Sequence, residues 1–162
     1  MRTQLAALIA IMFLANPVKA KDLQDAFIAY ETGNYQKALE LIAPKAKDGH
    51  PRAQFNLGMM HFKGNGVKKD YGKALEWFHK AAQQGYAEAQ SNLGLLYANG
   101  MGIPQNFIKA YAWWDIATEQ GNIDAKYNRI ILENRMDLEQ ISEAKILSSK
   151  FWEMYVMPFQ YY

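Results

Sequence analysis

The chain has 162 residues, 50% hydrophobic and 21% charged, with no cysteine and a formal charge of +2. That length supports one ordinary domain with a buried core, and that composition excludes a disordered chain. The missing cysteines exclude disulfides, thiolate metal sites, a cysteine nucleophile and a lipid-bearing cysteine.

The first 20 residues differ in character from the rest of the chain. Arg2 gives a short basic start, Leu5 to Leu14 is an unbroken apolar run, and Val18-Lys19-Ala20 offers a small residue at a cut. Ten apolar residues are half of the roughly 20 that a spanning helix needs. The pattern predicts a signal peptide over 1–20, cleaved after Ala20, and with it an exported chain, periplasmic or secreted, without a transmembrane segment once the leader is removed. Arg2 and Lys19 lie in this stretch and no acid does; the 18 basic side chains less these two leave 16 against 16 acidic. A nucleic-acid binder shows a basic surplus on one face. A neutral mature chain argues against a nucleic-acid partner.

Asp22 to Glu31 then predicts a helix, Gly33-Asn34 a turn, and Tyr35 the start of a second helix, which Pro44 should kink or end near Ala43. Pro51 suits the first turn of a third helix that runs to Lys63 and stops at Gly64. Asp70 caps the next helix, which closes by Gly85. The same grammar returns with Gly100 as stop, Asn106 as cap and Gly121 as closing turn. Ile123 to Glu133 reads as a further helix, and Asp137 with Gln140 gives a capping-box signature for a last one, with the apolar stripe Leu138, Ile141, Ala144, Leu147 and Phe151. Trp152 to Tyr162 is rich in aromatics and shows no clear period.

The grammar is a duplication. Ala53, Leu57, Gly58, Gly64, Gly66, Asp70, Lys73, Ala74, Trp77, Ala81 and Gly85 recur 36 residues later as Ala89, Leu93, Gly94, Gly100, Gly102, Asn106, Lys109, Ala110, Trp113, Ala117 and Gly121. A fixed period of this size marks stacked units whose apolar faces only their neighbours can cover. Tyr35, Lys37, Ala38 and Gly49 keep the period upstream, whereas Ala26 and Tyr30 lie 32 residues before Gly58 and Phe62, so the leading unit has a shorter loop.

The pattern Ala-x-x-x-Leu-Gly followed by Gly-x-Gly, Lys-Ala-x-x-Trp and a closing Gly resembles the Sel1-like repeat, a relative of the tetratricopeptide repeat. The resemblance implies an all-α, right-handed superhelical solenoid of about four helix pairs: signal peptide 1–20, degenerate leading repeat 21–50, repeats 51–86 and 87–122, a C-terminal capping helix pair 123–154 and an aromatic tail 155–162. It also implies a non-catalytic protein-binding scaffold of secretory or envelope pathways. Some Sel1-like proteins are described as acting on penicillin-type compounds, so an envelope-component hydrolase stands as the alternative by family analogy, beside a structural assembly subunit.

Residue chemistry adds no catalytic machinery. Gly64-Asn65-Gly66 and Gly100-Met101-Gly102 follow helices, where a phosphate cradle needs a strand before it, so they read as turns. Gly58 and Gly94 inside helices each cost about 1 kcal/mol against alanine. They predict close helix approach, with Ala74 and Ala110 opposite and Trp77 and Trp113 filling the space between repeats. His50, His61 and His79 are too scattered for a metal site, and His61 takes the place that the aromatic Tyr97 holds one repeat on. Ser91, Ser142, Ser148 and Ser149 sit in no nucleophile motif. No cofactor is implied.

The functional pointer is the face of the first helices. Arg52, Phe55, Met59 and Phe62, spaced three, four and three, share one helix side. With Phe27, Tyr30, Glu88, Ser91, Leu95, Tyr127 and Ile131 at the corresponding positions and Lys63 and Asn99 at the rim, they predict an apolar groove on the concave face for a segment of a protein partner. The competing reading is that these side chains pack on the next repeat. The aromatic tail reads as a lid over the last helices or as a docking peptide.

Overall fold

A computed structural model describes residues 17–160, which hold eight α-helices and no strand. In chain order these are α1 (Pro17–Glu31), α2 (Tyr35–Lys47), α3 (Pro51–Lys63), α4 (Tyr71–Ala82), α5 (Ala87–Asn99), α6 (Phe107–Glu119), α7 (Ile123–Glu133) and α8 (Leu138–Tyr155), followed by a 3-10 turn, Met157–Phe159. Helices α1 and α2, α3 and α4, and α5 and α6 form hairpins, and each second helix also packs on the first helix of the next pair. This is the expected solenoid.

Most of the expected leader, 1–16, lies outside the described residues, as do Tyr161 and Tyr162 of the tail. Helix α1 already runs from Pro17, ahead of the expected Asp22. Pro44 does not end α2, which continues to Lys47 with Ala46 in the core. The ring removes one donor where only a single turn remains, and the Asp48 N–H still closes on the Pro44 carbonyl at 2.9 Å.

Local signals set the helix ends. Asn34, Asp70, Asn106, Asn122 and Asp137 each accept from the backbone N–H three residues on, at 2.8–3.2 Å. Gln140 returns the bond to the Asp137 N–H, completing the capping box. The two Gly-x-Gly stretches are turns, and the second glycine of each serves twice. Gly66 and Gly102 have φ of 71° and 70°, and a Cβ on them would stand 2.9 Å from Tyr35 and 2.7 Å from Tyr71, where the loop lies on the previous second helix.

Gly58 and Gly94 do mark close approach: the Ala74 carbonyl lies beside Gly58 as expected, and a ring of the partner helix covers each glycine. Phe78 lies on Gly58 and Trp114 on Gly94, one position beyond the expected tryptophans. Trp113 packs between pairs, with ring centroids 5.6 Å from His79, 4.4 Å from Phe151 and 5.5 Å from Tyr155. Trp77 is half-buried in the first core cluster with Lys80 over its ring.

An amide ladder, unread in the sequence, ties the pairs. Buried Gln54 donates to the Ala46 carbonyl of the preceding pair and accepts from Gln84. Thirty-six residues on, buried Gln90 donates to the Ala82 carbonyl and accepts from Gln120.

The C-terminal end departs from the expected capping pair. Helix α8 lies along α6 rather than along α7. Ile141, Ala144, Leu147 and Phe151 turn inward as the stripe predicts, joined by Ser148, Trp152 and Tyr155, while Leu138 is exposed in the first turn.

Candidate functional site

The first helices α1, α3, α5 and α7 are joined through the second helices and barely touch one another. Clefts remain between them. One, between α1 and α3, has a volume of about 140 Å³ and is lined by Phe27, Tyr30, Glu31, Ile42, Phe55, Asn56, Met59 and Lys63. Phe27 stays 45% exposed, and two cations stand at the edge: Arg52 lies 5.8 Å from the Phe27 ring centre and Lys63 6.0 Å from that of Tyr30. Asn65 donates to the Tyr30 hydroxyl at 2.9 Å, fixing that ring. A second cleft, between α5 and α7, is wider, about 340 Å³, and more polar, with Ser91, Asn92, Leu95, Asp124, Tyr127 and Asn128.

The sequence-selected residues thus divide. Phe27, Tyr30, Phe55, Met59 and Lys63 meet in the first cleft, with Arg52 beside it. Ser91, Leu95 and Tyr127 meet in the second, where Ser91 is buried. Phe62 lines neither: it packs between Tyr71 and Phe78, as the competing packing reading has it. Phe55 serves both, lying against Phe78 and Tyr86 as well as the cleft. Asn99 turns back to the Leu95 carbonyl, Glu88 is exposed at the start of α5, and Ile131 is 51% exposed on α7.

One polar cluster escaped the sequence reading. Arg129 of α7 pairs with Asp115 of α6 and donates to the Tyr111 hydroxyl at 3.3 Å, Tyr111 donates to Glu133 at 2.9 Å, and Ser148 of α8 donates to Asp115. Burial, and then the Glu133 hydrogen bond, push the Tyr111 phenol up to about 12. The signal was present, since Arg129 and Glu133 stand in the register of Leu93 and Tyr97. The cluster joins three helices and has no histidine in it. His61 is half-buried, with Nδ1 unpartnered, and its pKa is lowered by burial and then by Lys73. Among the described residues no group of three histidine or acidic side chains could hold a metal ion, and no helix is long and apolar enough to cross a membrane.

Comparison with known proteins places this geometry. A Sel1 repeat family model matches residues 51–86 and 87–122. The solved structure of c5321, a protective antigen present in uropathogenic Escherichia coli strains displaying an SLR fold, superposes with a TM-score of 0.83 at 33% identity, over 87% of this chain and 31% of that one. A Sel1 repeat protein from Oxalobacter formigenes superposes with a TM-score of 0.65 at 28% identity, over 81% of this chain and 56% of that one. The chain therefore spans about a third and just over half the length of these two. No curated protein matches the sequence. Sel1-repeat proteins are generally protein-interaction scaffolds, and their fold is typically non-catalytic. Two tandem repeats at 51–122 within a continuous stack of helix pairs make this chain a Sel1-repeat protein.

Proposed function

We propose that the protein is a non-catalytic adaptor of the cell envelope or secretory pathway that holds a segment of a partner protein on the concave face formed by its first helices. The supporting observation is the α1–α3 cleft, where Phe27, Tyr30, Phe55 and Met59 offer apolar surface between Arg52, Lys63 and Glu31. An anchoring apolar side chain of the partner would fill it, with polar bonds at the rim supplying orientation. Phe27 and Met59 are the residues to remove, because Phe55 also supports the core. In capture from the native cell, Phe27→Ser with Met59→Ser should lose proteins that wild type and an Ile146→Ser control on α8 both retain. Equal recovery by all three would overturn the cleft assignment.

Export rests on the apolar run and small-residue cut of the first 20 residues. Fractionation with N-terminal sequencing tests it: the expected chain begins at Lys21 in the envelope or medium, and an uncut cytosolic chain contradicts it.

A further inference from the structure

Helix α7 is a first helix without a second helix on it. On α5, Gln90 and Ala98 are buried and Gly94 lies beneath Trp114 of α6. At the same register, Lys126 and Ile130 of α7 and its cap Asn134 are exposed, because α8 lies along α6. Ile130 stands where Gly58 and Gly94 stand, so no aromatic ring could settle there as Phe78 and Trp114 do. The opposite side of α7 is buried through Ala125 and Leu132. The open side carries Ile123 at 79%, Tyr127 at 71%, Ile130 at 45% and Ile131 at 51% exposure, spaced as one stripe.

We propose that a second copy of this chain covers that stripe, α7 packing antiparallel on α7 about a two-fold axis that passes between residues 129 and 130. The interface continues the hairpin packing of the earlier pairs, with a helix from the other copy where α4 and α6 lie on α3 and α5. The hairpins of the stack are antiparallel, and charge complements the same arrangement here. At about 100° per residue, Lys126 and Glu133 of α7 share one flank of the stripe. A two-fold axis across the helices brings like flanks together with direction reversed. Lys126 then meets Glu133 of the second copy, a pair made twice, with Ile130 against Ile130 at the centre. Within the described residues of one chain, Lys126 has no ion-pair partner, and Glu133 uses one carboxylate oxygen on Tyr111. Helix α7 has 11 residues, about 16 Å of length. One such helix on another buries less than the roughly 800 Å² per partner of a stable interface, so the dimer is a weak, concentration-dependent one.

Sedimentation equilibrium of the full chain from about 1 to about 500 µM should show a shift from monomer to dimer. Ile130→Asp should weaken association at least tenfold without loss of helicity, since Ile130 is already half in solvent, whereas Ile146→Asp on α8 should change nothing. Lys126→Glu and Glu133→Lys should each weaken self-association, and their equimolar mixture should restore the dimer as a heterodimer. A monomer throughout, or a dimer indifferent to both Ile130→Asp and Lys126→Glu, overturns the proposal; the Lys126 variant alone decides if Glu133→Lys does not fold.

Discussion

The indole of Trp114 lies on the bare backbone of Gly94 and donates its N–H to the Ser91 carbonyl at 2.9 Å. Phe78 meets Gly58 in the same way, 2.7 Å from where a Cβ would stand. Alanine at either glycine gains up to about 1 kcal/mol of helix propensity but forces a packed ring aside, which costs typically 1–3 kcal/mol. The ring is buried and the backbone behind it is fixed, so the second effect wins. Thermal unfolding should show both Gly58→Ala and Gly94→Ala below wild type; a rise in Tm would mean that the rings can yield.

The amide ladder makes a separate prediction. Gln90→Ala removes two hydrogen bonds from the seam, while the Ala82 carbonyl keeps the Gly85 N–H and Gln120 keeps the Ile116 carbonyl, a loss of about 0.5–1.5 kcal/mol per bond. Gln54→Ala should behave alike at the previous junction. Urea unfolding measures both; values within about 0.5 kcal/mol of wild type, typical of surface changes, would show that the ladder contributes nothing.

Acid should destabilise the stack from near neutrality. Burial, and then the charge of Lys109, hold the His79 pKa below 6.5 between Tyr97 and Trp113, and burial and then Lys73 lower that of His61. The fold therefore binds protons less readily than the unfolded chain. The histidine contribution is present above pH 6.5 and is lost as pH falls from there toward the folded pKa. Asp70, held low by the Lys73 N–H, acts in a more acidic window, below its ordinary 3.8. Wild type should lose Tm between pH 7 and pH 5, and His61→Gln with His79→Gln should lose less. Equal losses would remove the histidines from the explanation.

The Arg129 cluster holds the last helices. Asp115 pairs with Arg129 and accepts from Ser148, so one carboxylate joins α6, α7 and α8. Asp115→Ala leaves a largely buried guanidinium without its anion, a loss of about 1–3 kcal/mol after allowing for partial solvent access. Amide exchange over 123–155 should quicken while 51–82 stays protected; uniform acceleration would contradict a local latch.

Much of this was legible in residue types at fixed spacing. The recurrence of Ala53, Leu57 and Gly58 as Ala89, Leu93 and Gly94 gave the stacking, and Asp70, Asn106 and Asp137 gave helix starts within a residue, because caps and left-handed glycines act locally. What remained hidden depended on neighbours. Nothing local tells that Phe78 rather than Trp77 meets Gly58, or that Phe62 turns to Tyr71 while Met59 opens to solvent. Helix α8 could not be placed from its own stripe, which fits α6 and α7 equally; the departures at Arg129 and Ile130 from the leucine and glycine of the repeat were the clues.

The adaptor reading is tested most directly by position-specific photo-crosslinking in the native cell. A crosslinker at Phe27 or Asn56 in the α1–α3 cleft should give one and the same partner adduct, while one at exposed Glu76 on α4 should give none. Adducts from Glu76 with none from Phe27 or Asn56 would place binding on the second helices and contradict the account.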